Sequence, residues 1–233
     1  FGVGYICRKL FKIDWKLTSM LSISTAICGG TAVATLGPVI EADNKDIAYA
    51  LSATFIFDLL TVILFPWIGV FLGMTDTTFG LWVGTAVNDT SSVVAAGYAF
   101  SELAGALATI VKLTRTLFIV PIVIIFSYIY ARKSQKQGIS KTSQKVNVLA
   151  IFPWFILGFI AFIGIRSLDI LSDDWVVSIS NISKFFMATA LGAIGLKTSF
   201  KELTSVGVIP MMVAILIEVS VVIVSFIVLS IMF

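Results

Sequence analysis

Thr85-Ala86-Val87-Asn88-Asp89-Thr90-Ser91-Ser92-Val93-Val94-Ala95-Ala96-Gly97 is the stretch whose reading decides how this chain folds. It lies in a long apolar segment, yet its middle holds the run Asn88-Asp89-Thr90-Ser91-Ser92, with one formal charge. Short polar side chains of these types bond to nearby backbone N–H groups, so they favour the start of a helix over its interior. An interrupted helix is expected here, with a half-helix starting near Thr90-Ser91.

A second copy of the pattern stands 60 positions earlier: Thr25-Ala26-Ile27-Cys28-Gly29-Gly30-Thr31-Ala32-Val33-Ala34-Thr35-Leu36-Gly37. The two share Thr-Ala, an aliphatic residue, a hydroxyl residue, then Val and Gly. In this copy Gly29-Gly30 loosens the backbone, and a half-helix is expected to start near Gly30-Thr31. Such a start carries partial positive charge and open N–H donors, which suits an anion. Irregular backbone at membrane depth is tolerated only inside protein or beside water. Broken helices at matching repeat positions point to a transporter site.

The surroundings make this a membrane argument. The 233 residues are 58% hydrophobic and only 12% charged, with a mean hydropathy of +1.05, whereas soluble domains are usually about 25% charged. Roughly 20 apolar residues cross a bilayer as a helix. Seven stretches qualify or nearly do: A (18–40), B (47–72), C (79–100), D (103–131), E (148–166), F (175–196) and G (206–233). Basic residues gather before A (Arg8, Lys9, Lys12, Lys16), between D and E (Arg132, Lys133, Lys136, Lys141, Lys145) and between F and G (Lys197, Lys201). The E–F loop is acidic instead, with Asp169, Asp173 and Asp174. The positive-inside rule places the basic groups in the cytoplasm. The expectation is an all-α polytopic membrane protein with a helical transporter fold. One transmembrane domain covers 1–233, with halves 1–131 and 148–233 joined by the cytoplasmic loop 132–147. The charges leave two geometries open for A and C: both cross the membrane, or both re-enter. The second makes the repeat an inverted one. Residues Phe1–Cys7 read like the tail of an apolar segment, so earlier N-terminal helices are expected.

Ionisable groups inside spans are costly and suggest function by default. Asp58 lies in B, Asp89 in the break of C, Lys112 and Arg115 in D, and Glu218 in G. Lys112 and Arg115 are three apart and share a helix face. Two cations at that depth call for anionic partners: Asp58 and Asp89, an anionic substrate, or both in turn. Arg115 offers an oxyanion a bidentate contact and Lys112 a point charge. Asp58, Asp89 and Glu218 are candidates for binding a coupling ion.

Histidine is absent, and only Cys7 and Cys28 are present. That excludes His-ligated metal and His acid–base catalysis, and no nucleotide-binding or metal motif appears. No cofactor, no metal site and no enzymatic activity are expected.

Several runs, taken in order, resemble the YeiH-type family of bacterial membrane proteins, commonly labelled sulfate exporters. They are Ile27-Cys28-Gly29-Gly30-Thr31-Ala32-Val33 with Gly37-Pro38-Val39-Ile40, then Phe79-Gly80-Leu81-Trp82-Val83-Gly84, then Asn88 to Gly97, then Val111-Lys112-Leu113-Thr114-Arg115, and last Ala193-Ile194-Gly195-Leu196-Lys197-Thr198. The resemblance covers nearly the whole chain and implies a longer protein in the bacterial inner membrane. Two departures stand out. Asn88 takes a position where members often carry His, and Gly30-Thr31 replaces their Asn-or-Ala followed by Ser. A proton-linked role for that His therefore does not carry over.

Together these readings give a secondary transporter, expected to be an exporter, for sulfate, a sulfonate or a similar small anion. The substrate-binding candidates are Thr25, Cys28, Gly29, Gly30, Thr31, Asn88, Asp89, Thr90, Ser91, Ser92, Lys112 and Arg115. Asp58, Asp89 and Glu218 are the coupling candidates for H⁺ or Na⁺. One alternative is a cation/proton antiporter using the intramembrane Asp residues. Another is a membrane sensor or assembly component that transports nothing. The partners expected are the small anion, H⁺ or Na⁺, the lipid bilayer and a second copy of the chain, with no nucleic acid.

Overall fold

Where the chain meets capping residues its helices begin, and they do so repeatedly. Asp14 accepts from the Lys16 N–H at 2.7 Å, Thr75 from Thr78 at 3.2 Å, Asp89 from Ser91 at 2.8 Å and Ser101 from Ala104 at 3.0 Å. Each satisfies a donor that the first helical turn leaves without an intrahelical partner. The computed structural model describes residues 1–136, 155–168 and 208–232, with isolated positions between 175 and 189. The helices are α1 (Gly2–Phe11), α2 (Trp15–Ala26), α3 (Gly30–Val39), α4 (Asn44–Phe71), α5 (Asp76–Ala86), α6 (Thr90–Phe100), α7 (Glu102–Thr116), α8 (Ile119–Lys136), α9 (Phe155–Ser167) and α10 (Val208–Met232). No strand occurs among the described residues.

Among the described residues three stretches are long and apolar enough to cross a membrane: Asn44–Phe71, Glu102–Lys133 and Ile209–Met232. They coincide with segments B, D and G. The second runs through α7 into α8 across a turn at Leu117-Phe118. Segments A and C are each divided between two shorter helices, α2 and α3, and α5 and α6. Part of E, most of F, and loop positions 137–147 lie outside the described residues, as do Asp169, Asp173, Asp174, Lys197 and Lys201. The outer faces of α4 and α10 are apolar, with Ile63, Trp67, Val70, Ile223, Val224 and Ile231 exposed. A surface of this kind suits hydrocarbon and not water.

The chain divides into two compact units, Phe1–Phe152 with Lys201–Phe233, and Pro153–Phe200. The smaller contributes α9 among the described helices, an apolar helix of 13 residues. The larger holds two apolar cores. One gathers Met20, Ile23, Ile27, Val33, Leu36 and Ile40 with Ile119, Val213 and Ile217. The other gathers Phe79, Trp82, Val83, Val93, Ala96, Ala104 and Ala108 with Phe65 and Leu229. In the second, Phe65 stacks on Trp82 with centroids 4.4 Å apart, and the Trp82 indole N–H donates to the Val222 carbonyl at 3.3 Å.

Both α4 and α10 serve both cores. Ala50 and Ala53 of α4 belong to the first and Phe65 to the second; Ile217 and Leu229 of α10 divide likewise. Asp58 and Glu218, at 4% and 3% exposure, fall on these helices between their contributions to the two cores.

Small residues bring α5 and α6 against α7. A Cβ added at Gly80 would stand 2.7 Å from the Ala104 carbonyl oxygen, one at Gly84 2.8 Å from that of Ala108, and one at Gly97 2.8 Å from the Gly105 Cα. Close backbone approach of this kind is the usual way helices associate where lipid provides no hydrophobic drive between them.

Candidate functional site

The site is built from four helix ends. α2 stops at Ala26, and three residues later α3 begins at Gly30. Gly29 turns the chain with φ +62°, a region closed to most L-residues, and its N–H donates to the Ser24 carbonyl at 2.9 Å. α5 stops at Ala86 and α6 begins at Thr90. The two connections touch: a Cβ on Gly29 would lie 3.5 Å from the Asp89 nitrogen and 3.6 Å from the Asn88 carbonyl carbon.

Helix C-termini leave carbonyls without intrahelical partners and carry partial negative charge. Here both are held by side chains of α7. Arg115 Nε donates to the Ala26 carbonyl at 2.8 Å, Nη1 to the Thr85 carbonyl at 2.7 Å and the Val87 carbonyl at 3.3 Å, and Nη2 to the Thr25 carbonyl. Lys112 Nζ donates to the Ile27 carbonyl at 2.6 Å and the Val87 carbonyl at 3.2 Å. One guanidinium and one ammonium thus cap α2 and α5 together. Lys112 is fully buried.

The start of α6 is treated in the opposite sense. Asp58 Oδ1 accepts the backbone N–H groups of Asn88 and Asp89, each at 3.2 Å. Asp89 Oδ2 accepts from the Ser91 N–H and hydroxyl. Carboxylates therefore sit where the helix end is positive. The start of α3 differs: its N-cap is Gly29, with no side-chain bond, and Thr31 is exposed.

Asn88 links the two outer carboxylates. Its backbone serves Asp58, and its Nδ2 donates to Glu218 Oε2 at 2.7 Å across 130 residues of sequence. Among the described residues its Oδ1 has no partner, although the residue is fully buried. Thr25, buried with its hydroxyl donating to the Leu21 carbonyl, adjoins Glu218. Nearby, the Ser24 and Thr54 hydroxyls meet at 2.5 Å.

Of the residues singled out from sequence, the structure brings together Thr25, Gly29, Asn88, Asp89, Ser91, Lys112, Arg115, Asp58 and Glu218. Cys28 is a buried free thiol beside them. Ser92 is buried, Thr90 is half-buried, and Gly30 packs on Leu51; none of these three bonds to the charged groups. Two expectations change in detail. The partners of Lys112 and Arg115 are backbone carbonyls and not Asp58 or Asp89, because α7 crosses the negative ends of α2 and α5. At the start of α6 the N–H donors of Asn88, Asp89 and Ser91 are already taken by carboxylates. Sequence reasoning missed the carbonyls of Ala26, Ile27, Thr85 and Val87 as ligands, since backbone acceptors carry no residue signature. It also missed the Ser24–Thr54 pair, two hydroxyls inside apolar runs.

Among the described residues no group of three His, Cys, Asp or Glu side chains is placed to hold a metal ion.

A family model described as "Conserved hypothetical protein 698" matches residues 1–214. A UPF0324 membrane protein of Clostridium tetani is 54% identical over 98% of this chain and 68% of its own length. UPF0324 membrane protein SAG1125 of Streptococcus agalactiae is 40% identical over 88% of this chain and 62% of its own length. A UPF0324 membrane protein of Bacteroides thetaiotaomicron is 38% identical over 91% of this chain and 61% of its own length. The chain thus spans about two thirds of the length of these relatives. No solved structure matches it.

Proposed function

The chain belongs to the family described as Conserved hypothetical protein 698, whose curated relatives are named UPF0324 membrane proteins, and on that footing we propose that it is a secondary transporter of a small anion. In this reading α2–α3 and α5–α6 are two discontinuous membrane segments of an inverted repeat. They meet at the centre, and the site alternates between the two sides. The observation that carries it is the binding of both helix C-termini, at Thr25-Ala26 and at Thr85, by the one side chain of Arg115. A shared hub of this kind lets two half-helix pairs move as one switching element, the arrangement alternating access needs.

Two features favour an anion. The start of α3 has no side-chain cap, leaving donors for an oxyanion. Lys112 uses two of its three ammonium donors on carbonyls. The resemblance to YeiH-type exporters suggests sulfate or a sulfonate as substrate, export as the direction, and the bacterial inner membrane as the location, with loop 132–147 cytoplasmic. The role is transport and not catalysis.

The test is flux of labelled sulfate and of a small sulfonate in proteoliposomes holding the full-length protein. Lys112→Ala with Arg115→Ala is expected to abolish flux, in protein shown by its elution profile to be folded. Unchanged anion flux would remove these roles.

A second reading, cation/proton antiport, is favoured by one observation: the start of α6 is filled by the Asp58 and Asp89 carboxylates. Flux that follows Na⁺ or pH with no anion dependence would select it.

A further inference from the structure

The charges at the helix crossing do not cancel. Lys112 and Arg115 sit on the negative ends of α2 and α5. Asp58 and Asp89 sit on the positive start of α6. The two cations meet two negative helix ends, and the two carboxylates share one positive end, each end worth about half an elementary charge. Glu218 is the fifth, and it has no helix end to balance it. Its described side-chain hydrogen bond is from the Asn88 amide, with Thr25 adjoining.

The Asn88 amide is itself half used. Nδ2 donates to Glu218 Oε2 at 2.7 Å, while Oδ1, on the same carbon, is buried without a donor. A buried acceptor left empty has lost its water without gaining a bond in exchange, which is destabilising. A primary amide facing a carboxyl group can make two bonds at once: N–H to one carboxyl oxygen, and O–H from the other back to the amide oxygen. The first is present. The second needs a hydrogen on Glu218.

We propose that Glu218 is the proton-binding site of the crossing, and that a proton on its Oε1 closes a cyclic pair with Asn88 by donating to Oδ1. One proton arrives from water and forms the Oε1–H bond; no other bond breaks, and release reverses the step. The orphaned acceptor gains its donor and the surplus negative charge is removed together. The charged groups facing Glu218 are Asp58 from α4 and Lys112 and Arg115 from α7; Asp89 adjoins Asp58, and Cys28 adjoins the two cations. α1 brings the thiol of Cys7 to the same core as Ile217, and α5 brings the uncharged Trp82 against α10. The role of this proton in coupling rests on the transport reading; the site does not.

Infrared difference spectra of the full-length protein in lipid, recorded across pH in choline buffer, test it. Acidification is expected to produce a carboxylic-acid carbonyl band together with a shift of an asparagine amide band, both with one midpoint. The acid band is lost in Glu218→Gln. In Asn88→Leu it persists at higher frequency, because its O–H has lost the amide acceptor. In Glu218→Asp, which keeps the acid on a shorter stem, it moves and does not vanish. An acid band that survives Glu218→Gln unchanged overturns the proposal, as does one whose frequency ignores Asn88→Leu. In the wild type, which needs no variant to fold, loss of the band when Na⁺ replaces choline at fixed pH overturns it in favour of a sodium site. Absence of flux in proteoliposomes with all spectra as expected would remove the transport reading and leave this site standing. Proton-coupled flux that Glu218→Gln leaves intact would do the reverse.

Discussion

Gly29 carries φ +62° at the point where two chain connections touch, with Thr54 Cγ2 3.3 Å from the place a Cβ would occupy. An L-residue at this φ +62°, ψ −125° backbone costs about 1–3 kcal/mol for the conformation alone, before any crowding of Thr54 and Asp89. Gly29→Ala is therefore expected to lower the melting temperature of the purified protein by several degrees; an unchanged melt would show that the connection relaxes freely. Asp58 poses a different question at the same scale. Its Oδ1 takes two backbone N–H groups, which an amide oxygen can also do. Asp58→Asn should keep most of the stability while removing the charge. Asp58→Leu leaves both donors empty, at about 1–3 kcal/mol each. The order expected in thermal unfolding is wild type, then Asn, then Leu, and equal melts for Asn and Leu would refute the hydrogen-bond account.

Helices α5, α6 and α7 stand close because Gly80, Gly84 and Gly97 face Ala104, Gly105 and Ala108. That closeness has a purpose at the site: it brings Lys112 and Arg115 of α7 within reach of the carbonyls at the end of α5. Gly84→Leu or Gly97→Leu would push backbone against backbone and draw α7 away. Overpacking costs about 1–3 kcal/mol even where neighbours can yield, and here the neighbours are main-chain atoms. Low yield of folded protein and loss of flux are expected together.

On the scale of the molecule, the described polar groups of the site divide into buried and exposed ones. Asn88 and Lys112 are fully buried, while Thr31, at the uncapped start of α3, is exposed. If that start opens to water as the transport reading requires, Thr31→Cys will react with a membrane-impermeant maleimide in a background lacking Cys7 and Cys28, whereas Asn88→Cys will not. Protection of Thr31→Cys by sulfate or a sulfonate would place the anion at α3. Equal labelling of both cysteines would contradict the buried crossing.

The sequence by itself determined the membrane environment, the long helices at α4, α7–α8 and α10, and the positions where α2 and α5 end. These follow from local chemistry: apolar length sets a span, and Gly29 or Asn88-Asp89 sets a helix boundary wherever the chain goes next. It also marked Asp58, Lys112, Arg115 and Glu218, because charge in an apolar run is legible without neighbours. What it left open was the pairing. Only the tertiary structure decided that the cations serve carbonyls, that Asp58 serves the start of α6, and that Asn88 reaches Glu218 130 positions away. The reason is physical. A helix end presents its charge through backbone groups that every sequence shares, so which side chain meets it depends on how helices cross, and that is set by packing across the whole bundle.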